Sequence, residues 1–248
     1  MSDTFGFGQN DAGIGGRAQK FKAEKNKTYR LGFVWWPGIE EGNFGLKNLT
    51  IAEGADEASL TPKFIRAQRN FIKDVGYVIN QGPEWTKLAG EAPKTQIATI
   101  IVSWPLGKNG QPTKESLFGD LPEVMAWIFG GDKYEKLKKQ HQSGYPMWEW
   151  DVQADCEDAG FQKMSFLPAK QCIFREMLKS DSPQAKEIVN HILEQVRALA
   201  PRLEREIGSK LTLDQLREKL GQDASSPVGS VVTADADVDN ILGNMLDD

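Results

Sequence analysis

The sequence predicts an α+β fold built on an antiparallel, barrel-like sheet with inserted helices, followed by C-terminal helices and a disordered acidic tail. Three observations predict it. Strand-like alternation recurs in three separate stretches, without the regular strand–helix–strand order of a parallel sheet. A long helical stripe appears only late in the chain, from Ala185 onward. The last 26 residues, Asp223–Asp248, hold six aspartates and no Lys or Arg. The 248-residue chain carries a net charge of −5, so residues 1–222 sum to −5 + 6 = +1.

Residues 1–19 are rich in Gly, Asp and Asn and read as a flexible arm. In "KTYRLGFVWWPG", Tyr29, Leu31, Phe33 and Trp35 alternate with Arg30, Gly32, Val34 and Trp36, a strand stopped by Pro37-Gly38. Lys20 and Phe21 are placed to begin a partner strand. "TPKFIRAQRNFIKDVG" reads as a helix, with Thr61 as its cap and Pro62 in its first turn. That helix would put Phe64, Ile65, Gln68, Phe71 and Ile72 on one face and Arg66, Arg69 and Lys73 on another.

"TQIATIIVSWPLGKNGQPTKESLFG" reads as a strand, a turn at Lys108-Asn109-Gly110 and a return strand. Asp120 and Glu123 have the spacing of a capping box, so a helix is expected from Asp120, interrupted at Gly130-Gly131 and carrying Trp127 on its apolar face. "YPMWEWDVQADCEDAGFQKMSFLP" gives two strands around an acidic turn. Ala185, Ile188, Val189, Ile192, Leu193, Val196 and Leu199 form the stripe of a long helix that Pro201 kinks or breaks. "LTLDQLREKLG" is a second helix, with Thr212 and Gln215 in capping-box spacing and Gly221 as its stop. These elements divide the chain into the arm at 1–19, a core at 20–180, a helical region at 181–221, and a linker with an acidic interaction tail at 222–248.

Catalysis finds little support. There is no phosphate-binding G-x-x-x-x-G-K-[ST] loop, no G-x-S-x-G and no H-E-x-x-H. Two Cys and two His, far apart, give no zinc spacing. "ADCEDAG" clusters Asp155, Glu157 and Asp158, but its spacing matches no calcium loop and it reads as a solvated turn. The expected protein is non-catalytic, with no metal and no cofactor. No apolar run approaches the ~18 residues of a membrane span, and the first residues lack signal-peptide regions, so a cytoplasmic protein with no membrane partner is expected.

What stands out is cations interleaved with aromatics. Lys20, Lys22, Lys25, Lys27 and Arg30 bracket Phe21, Tyr29, Trp35 and Trp36, and Trp104 is followed by Lys108. Single-strand-binding proteins pair a basic groove with aromatic platforms on which bases stack. Neighbours on a strand face opposite sides, so one of Trp35 and Trp36 can be core while the other meets ligand. Arg66, Arg69 and Lys73 are a solvated face, or a phosphate-tracking stripe if they line the groove. Trp148 and Trp150 are not assigned. In the tail, Val238, Ile241, Leu242, Met245 and Leu246 form one short helical stripe among Asp235, Asp237, Asp239, Asp247 and Asp248. A stripe this short holds a helix only against a partner.

The order of these parts, from "KFKAEKNKTYRLGFVWWP" to "DADVDNILGNMLDD", resembles the single-stranded DNA-binding proteins of tailed bacteriophages, especially the T-even type. The resemblance implies an OB-fold-like core, single-stranded DNA as ligand, and a viral role in DNA replication and recombination in the host cytoplasm. It also implies a tail that recruits replication or recombination proteins and occupies the empty groove. The zinc site of the T-even proteins and their basic N-terminal arm have no counterpart here. RNA is the alternative ligand, and a structural or adaptor protein that docks through its tail is the alternative class.

Overall fold

The computed structural model describes residues 19–39, 61–157 and 163–221. The arm up to residue 18 and the whole acidic tail lie outside the described residues. The described residues fall in two compact units, one ending at Lys210 and the other beginning at Leu211.

The first unit is organised by one strand, β4 (Lys94–Trp104). Its run of Ile97, Ala98, Ile100, Ile101 and Val102 is buried, as expected of a strand covered on both faces. β4 pairs with β1 (Lys27–Phe33), β2 (Ile65–Ile72) and β5 (Glu123–Gly130). The β5 ladder runs from Gln96 to Ser103 of β4, while β2 takes residues 94–98 and β1 takes 101–104. β1 and β2 therefore share one edge of β4, and β5 holds the other. β3 (Gly76–Ile79) extends the sheet beyond β2, and β6 (Trp150–Cys156) and β7 (Met164–Lys170) extend it beyond β1.

Every ladder is antiparallel and the strand order is β3-β2-β4-β1-β6-β7, with β5 on β4. The α+β class is as expected from the sequence. The sheet is open: among the described residues no ladder joins β3 to β7. Two of its edges are covered by single extended residues. Phe21 and Gln19 exchange backbone hydrogen bonds with Ala126 of β5, which makes Lys20 the bridging residue. Ser209 does the same with Tyr77 and Ile79 of β3.

Two expected helices are strands. "IRAQRNFI" is β2, and its register, from Ile65↔Ala98 to Arg69↔Lys94, ties its backbone to β4. Phe64 and Phe71, seven residues apart, match a helical period but fall on opposite faces of extended chain: Phe64, just before β2, packs against the core and Phe71 is exposed. Residues 123–130 are β5, rich in the aromatic and branched side chains that suit a pleated surface. Gly130-Gly131 is thus a junction rather than an interruption, and α3 (Gly131–Gln142) begins there. Asp120 does not open a helix; it closes α2 (Lys114–Gly119), which stands where a return strand was expected. The box that starts α2 is made by Thr113 and Ser116, whose backbone N–H groups donate to each other's hydroxyls at 2.9 and 3.1 Å. A short helix, α1 (Pro83–Ala89), follows β3 and was not expected.

The core gathers on β1, β4 and β5. Trp127 lies at its centre, on β5 rather than on a helix, ringed by Phe21, Phe33, Phe129 and Phe166 at centroid distances of 4.4 to 6.4 Å. After α4 (Ile173–Lys179), the long α5 (Pro183–Leu199) lays Ala185, Ile188, Val189, Ile192, Val196 and Leu199 into this core, the stripe expected from the sequence; Leu193 is half-buried. Pro201 sits in a 3-10 turn, Ala200–Arg202, before α6 (Leu203–Ile207). His191 is structural, with its Nε2 3.2 Å from the Pro122 carbonyl oxygen.

In the second unit, α7 (Leu213–Lys219) opens on the expected capping box. The Gln215 amide donates to Thr212 Oγ1 at 3.2 Å, and the Thr212 amide donates to Gln215 Oε1 at 3.0 Å. Gly221 stops it at φ 66°, in the left-handed region that glycine tolerates.

Candidate nucleic-acid interface

The tryptophans of the expected groove are core. Trp35 is 5% exposed and Trp36 fully buried, so neither offers a face to a base. β1 ends at Phe33, and the strand alternation that would have turned one of the two outward does not reach them. The Trp36 indole N–H donates to the Phe33 carbonyl at 2.8 Å, and the Trp35 ring lies 5.2 Å beneath the Lys63 ammonium. Trp104 is buried against Gly32, where an added Cβ would stand 2.7 Å from its Nε1. Trp148 is buried and Trp150 half-buried.

The basic stretch disperses as well. Lys20 pairs with Glu206 at 2.8 Å and Lys27 with Glu24 at 2.6 Å, and the Glu24 carboxylate raises the Lys27 ammonium above its ordinary value. Arg30 is buried against Asp151 at 3.2 Å and donates to the Gln171 carbonyl at 2.9 Å. Three of the five cations thus have carboxylate partners, while Lys22 and Lys25 are exposed. Tyr29 is half-buried; its hydroxyl accepts from the Glu24 amide at 2.8 Å and its ring meets Phe21 edge-on. Lys108 is exposed in its turn. Asp155 accepts from the Thr28 hydroxyl at 2.6 Å, and no metal-holding cluster forms among the described residues.

The chain instead brings aromatics and cations together on the β2–β3 hairpin. Phe71 and Tyr77 are register partners, 53% and 49% exposed, with ring centroids 5.2 Å apart at 64°. The Arg69 guanidinium carbon lies 3.7 Å from the Tyr77 ring centroid, a close cation–π stack. Arg69 Nη1 also donates to the Ile207 carbonyl at 2.9 Å. Burial draws the Arg69 guanidinium below its ordinary value, although an arginine remains charged at neutral pH. Positions 69, 71 and 73 share strand parity, so exposed Lys73 continues the line just past the end of β2. Arg66 is exposed at the opposite parity. Asp74, in the turn at φ 66°, is the acid beside this patch.

The patch is held from behind and from the side. Buried Asn70 donates to the Glu91 carbonyl at 2.8 Å, and Asn80 donates to Asn70 Oδ1 at 2.7 Å and to Thr86 Oγ1 at 2.9 Å. This fastens the hairpin to α1. At the edge, Ser209 hydrogen-bonds along β3, and a Cβ at Gly208 would stand 3.1 Å from the Tyr77 carbonyl oxygen. A side chain there would push the segment back from β3 by a few tenths of an ångström.

The sequence reading reached Arg69 and Lys73 but missed Phe71 as a surface residue and passed over Tyr77. A signal was there: Arg69, Phe71 and Lys73 alternate with Asn70 and Ile72, and a turn-like Asp74-Val75-Gly76 follows. Compared with known proteins, the chain finds no match among family models, curated proteins or solved structures, so the hairpin's geometry stands on its own.

Proposed function

We propose that the protein is a non-catalytic single-stranded nucleic-acid-binding protein that stacks bases on Phe71 and Tyr77. The observation that carries this reading is the exposed aromatic pair backed by Arg69. Large apolar rings at half exposure are costly to leave in water, and a base is a flat partner that covers them. Arg69 is already spent on Tyr77 and Ile207, so it stiffens the platform, while Lys73 is left for a phosphate. The single-strand ligand and the acidic tail agree with the phage resemblance seen in the sequence. Single-stranded DNA is the leading ligand and RNA the alternative, because stacking does not read the sugar.

The test is titration of the full chain with an unstructured DNA strand, the matching RNA and duplex DNA. Single strands are expected to bind more tightly than duplex. Phe71→Ala and Tyr77→Ala are each expected to weaken single-strand binding by about 1–3 kcal/mol. Stability should change by no more than about 1 kcal/mol, the worth of a cross-strand pair. Lys73→Gln is expected to flatten the salt dependence by about 0.7 in log–log slope. Unchanged affinity in the Phe71→Ala, Tyr77→Ala double variant would sink the reading, as would duplex binding as tight as single-strand binding.

In the same reading the tail, outside the described residues, competes for the cationic surface and docks replication or recombination proteins through Val238, Ile241, Leu242, Met245 and Leu246. Truncation after Pro227 removes Asp235, Asp237, Asp239, Asp247 and Asp248 and moves the net charge from −5 to −5 + 5 = 0. It is expected to tighten nucleic-acid binding, most at low salt where screening is weakest. Equal affinity with and without the tail across a salt series would leave it only the docking role.

A further inference from the structure

A second cationic, aromatic surface lies between α3 and β7, apart from the hairpin in the strand order. It is a groove of about 680 Å³, within the range that small ligands occupy. Lys136, Lys139, Gln140 and Ser143 line it at i, i+3, i+4 and i+7, one face of a helix. The opposite wall is Met164, Phe166 and Pro168, which share strand parity on β7. Lys163, Glu157 and Tyr145 also line it, Tyr145 being 40% exposed and edge-on to Trp150 at 5.3 Å. The charged lining residues are three lysines against Glu157, 3 − 1 = +2.

Gln140 is the second observation. Both polar atoms of its side-chain amide are buried without a hydrogen-bond partner. Unsatisfied buried amide atoms are costly and rare, and they call for an explanation. An amide that can both donate and accept, beside two aromatic rings and three ammonium groups, matches the edge of a nucleobase attached to a phosphate.

We infer that the α3–β7 groove is a nucleotide subsite, with phosphate held by Lys136, Lys139 and Lys163 and the base set between Tyr145 and Phe166, where the Gln140 amide turns out of its buried position to meet the base edge. The inference deepens the proposed single-strand binding and rests on its chemistry, but none of its residues belongs to the hairpin. A free nucleotide and one unit of a strand present the same groups, and the experiment separates them.

The experiment is amide-resolved NMR of the full chain, titrated with inorganic phosphate, thymidine 5′-monophosphate and an oligothymidylate. Amides of residues 136–143 and 163–166 are expected to shift with the nucleotide, at an affinity at least tenfold above that for phosphate. The same amides shifting with the oligothymidylate would make the groove part of a strand's path. Shifts with the mononucleotide alone would make it a site for free nucleotides. The Lys136→Glu, Lys139→Glu, Lys163→Glu variant is expected to lose these shifts, and Gln140→Ala to lose the preference for nucleotide over phosphate. The Phe71→Ala, Tyr77→Ala variant keeps them, so failure at the hairpin and failure in the groove are told apart. The inference is overturned if these amides stay still with both the nucleotide and the oligomer, if phosphate binds as tightly as nucleotide, or if the shifts survive the triple charge reversal.

Discussion

Arg30→Met is expected to lower the unfolding free energy by about 3–5 kcal/mol at pH 8, the usual cost of removing one member of a buried ion pair. Arg30 on β1 and Asp151 on β6 face each other with almost no solvent. Arg30 Nε donates to Asp151 Oδ2 at 3.2 Å, and the Ile173 amide donates to the same oxygen at 3.3 Å. Burial nevertheless pushes the Asp151 carboxyl up to about 7, with Arg30 the largest opposing influence. Methionine fills much of the space but supplies no countercharge, so the Asp151 carboxyl must climb further. Its folded value lies above the unfolded one of ~3.9, so the folded state holds the proton longer. Stability from that proton is present below about pH 4 and is lost as pH rises toward 7. In Arg30→Met the loss continues to higher pH. The gap between the two proteins should therefore widen from pH 5 to pH 8, which urea unfolding at the two pH values will measure. A gap equally wide at both would mean that Asp151 does not titrate in this window. A gap under about 1 kcal/mol at both would mean that the pair carries little.

The elements legible in the sequence each announce themselves within about ten residues. β1 does so by the alternation of Tyr29, Leu31 and Phe33, β6 and β7 by their acidic turn, α5 by its stripe, and α7 by Thr212 and Gln215. β2 and β5 do not, because what makes them strands is not local. They occupy opposite edges of β4, and no spacing within "IRAQRNFI" or "EVMAWIFG" reports an edge waiting to be filled. The capping signal at Asp120 and Glu123 was misread for a related reason. The working box uses Ser116 at its third position, where the sequence pattern looks for Glu or Gln. The site followed the fold. Interleaved aromatics and cations were visible at Trp35, Trp36 and Trp104, but tertiary packing decides which ring meets solvent, and it buried all three. Once β2 was read as a helix, Phe71 went to the inner face, and the partner that makes it a platform, Tyr77, had no reason to stand out.

Trp127→Ala is expected to cost about 3–5 kcal/mol, and the manner of the loss is informative. Four phenylalanine rings surround the indole, so the truncated site has little that can move in to fill it. Yet the Trp127 indole N–H is buried without a hydrogen-bond partner. Trp127→Phe therefore removes an unsatisfied donor, a gain of about 1–3 kcal/mol that offsets part of the lost volume. Trp36 is as deeply buried, but its N–H donates to Phe33, and Trp36→Phe deletes that bond and strands the carbonyl. Trp127→Phe should thus be the milder of the two phenylalanine variants, while the two alanine variants are comparably severe. Denaturant midpoints of the four proteins at one pH decide it. If Trp127→Phe proves at least as destabilising as Trp36→Phe, ring volume rather than the orphaned N–H sets the energetics of this core.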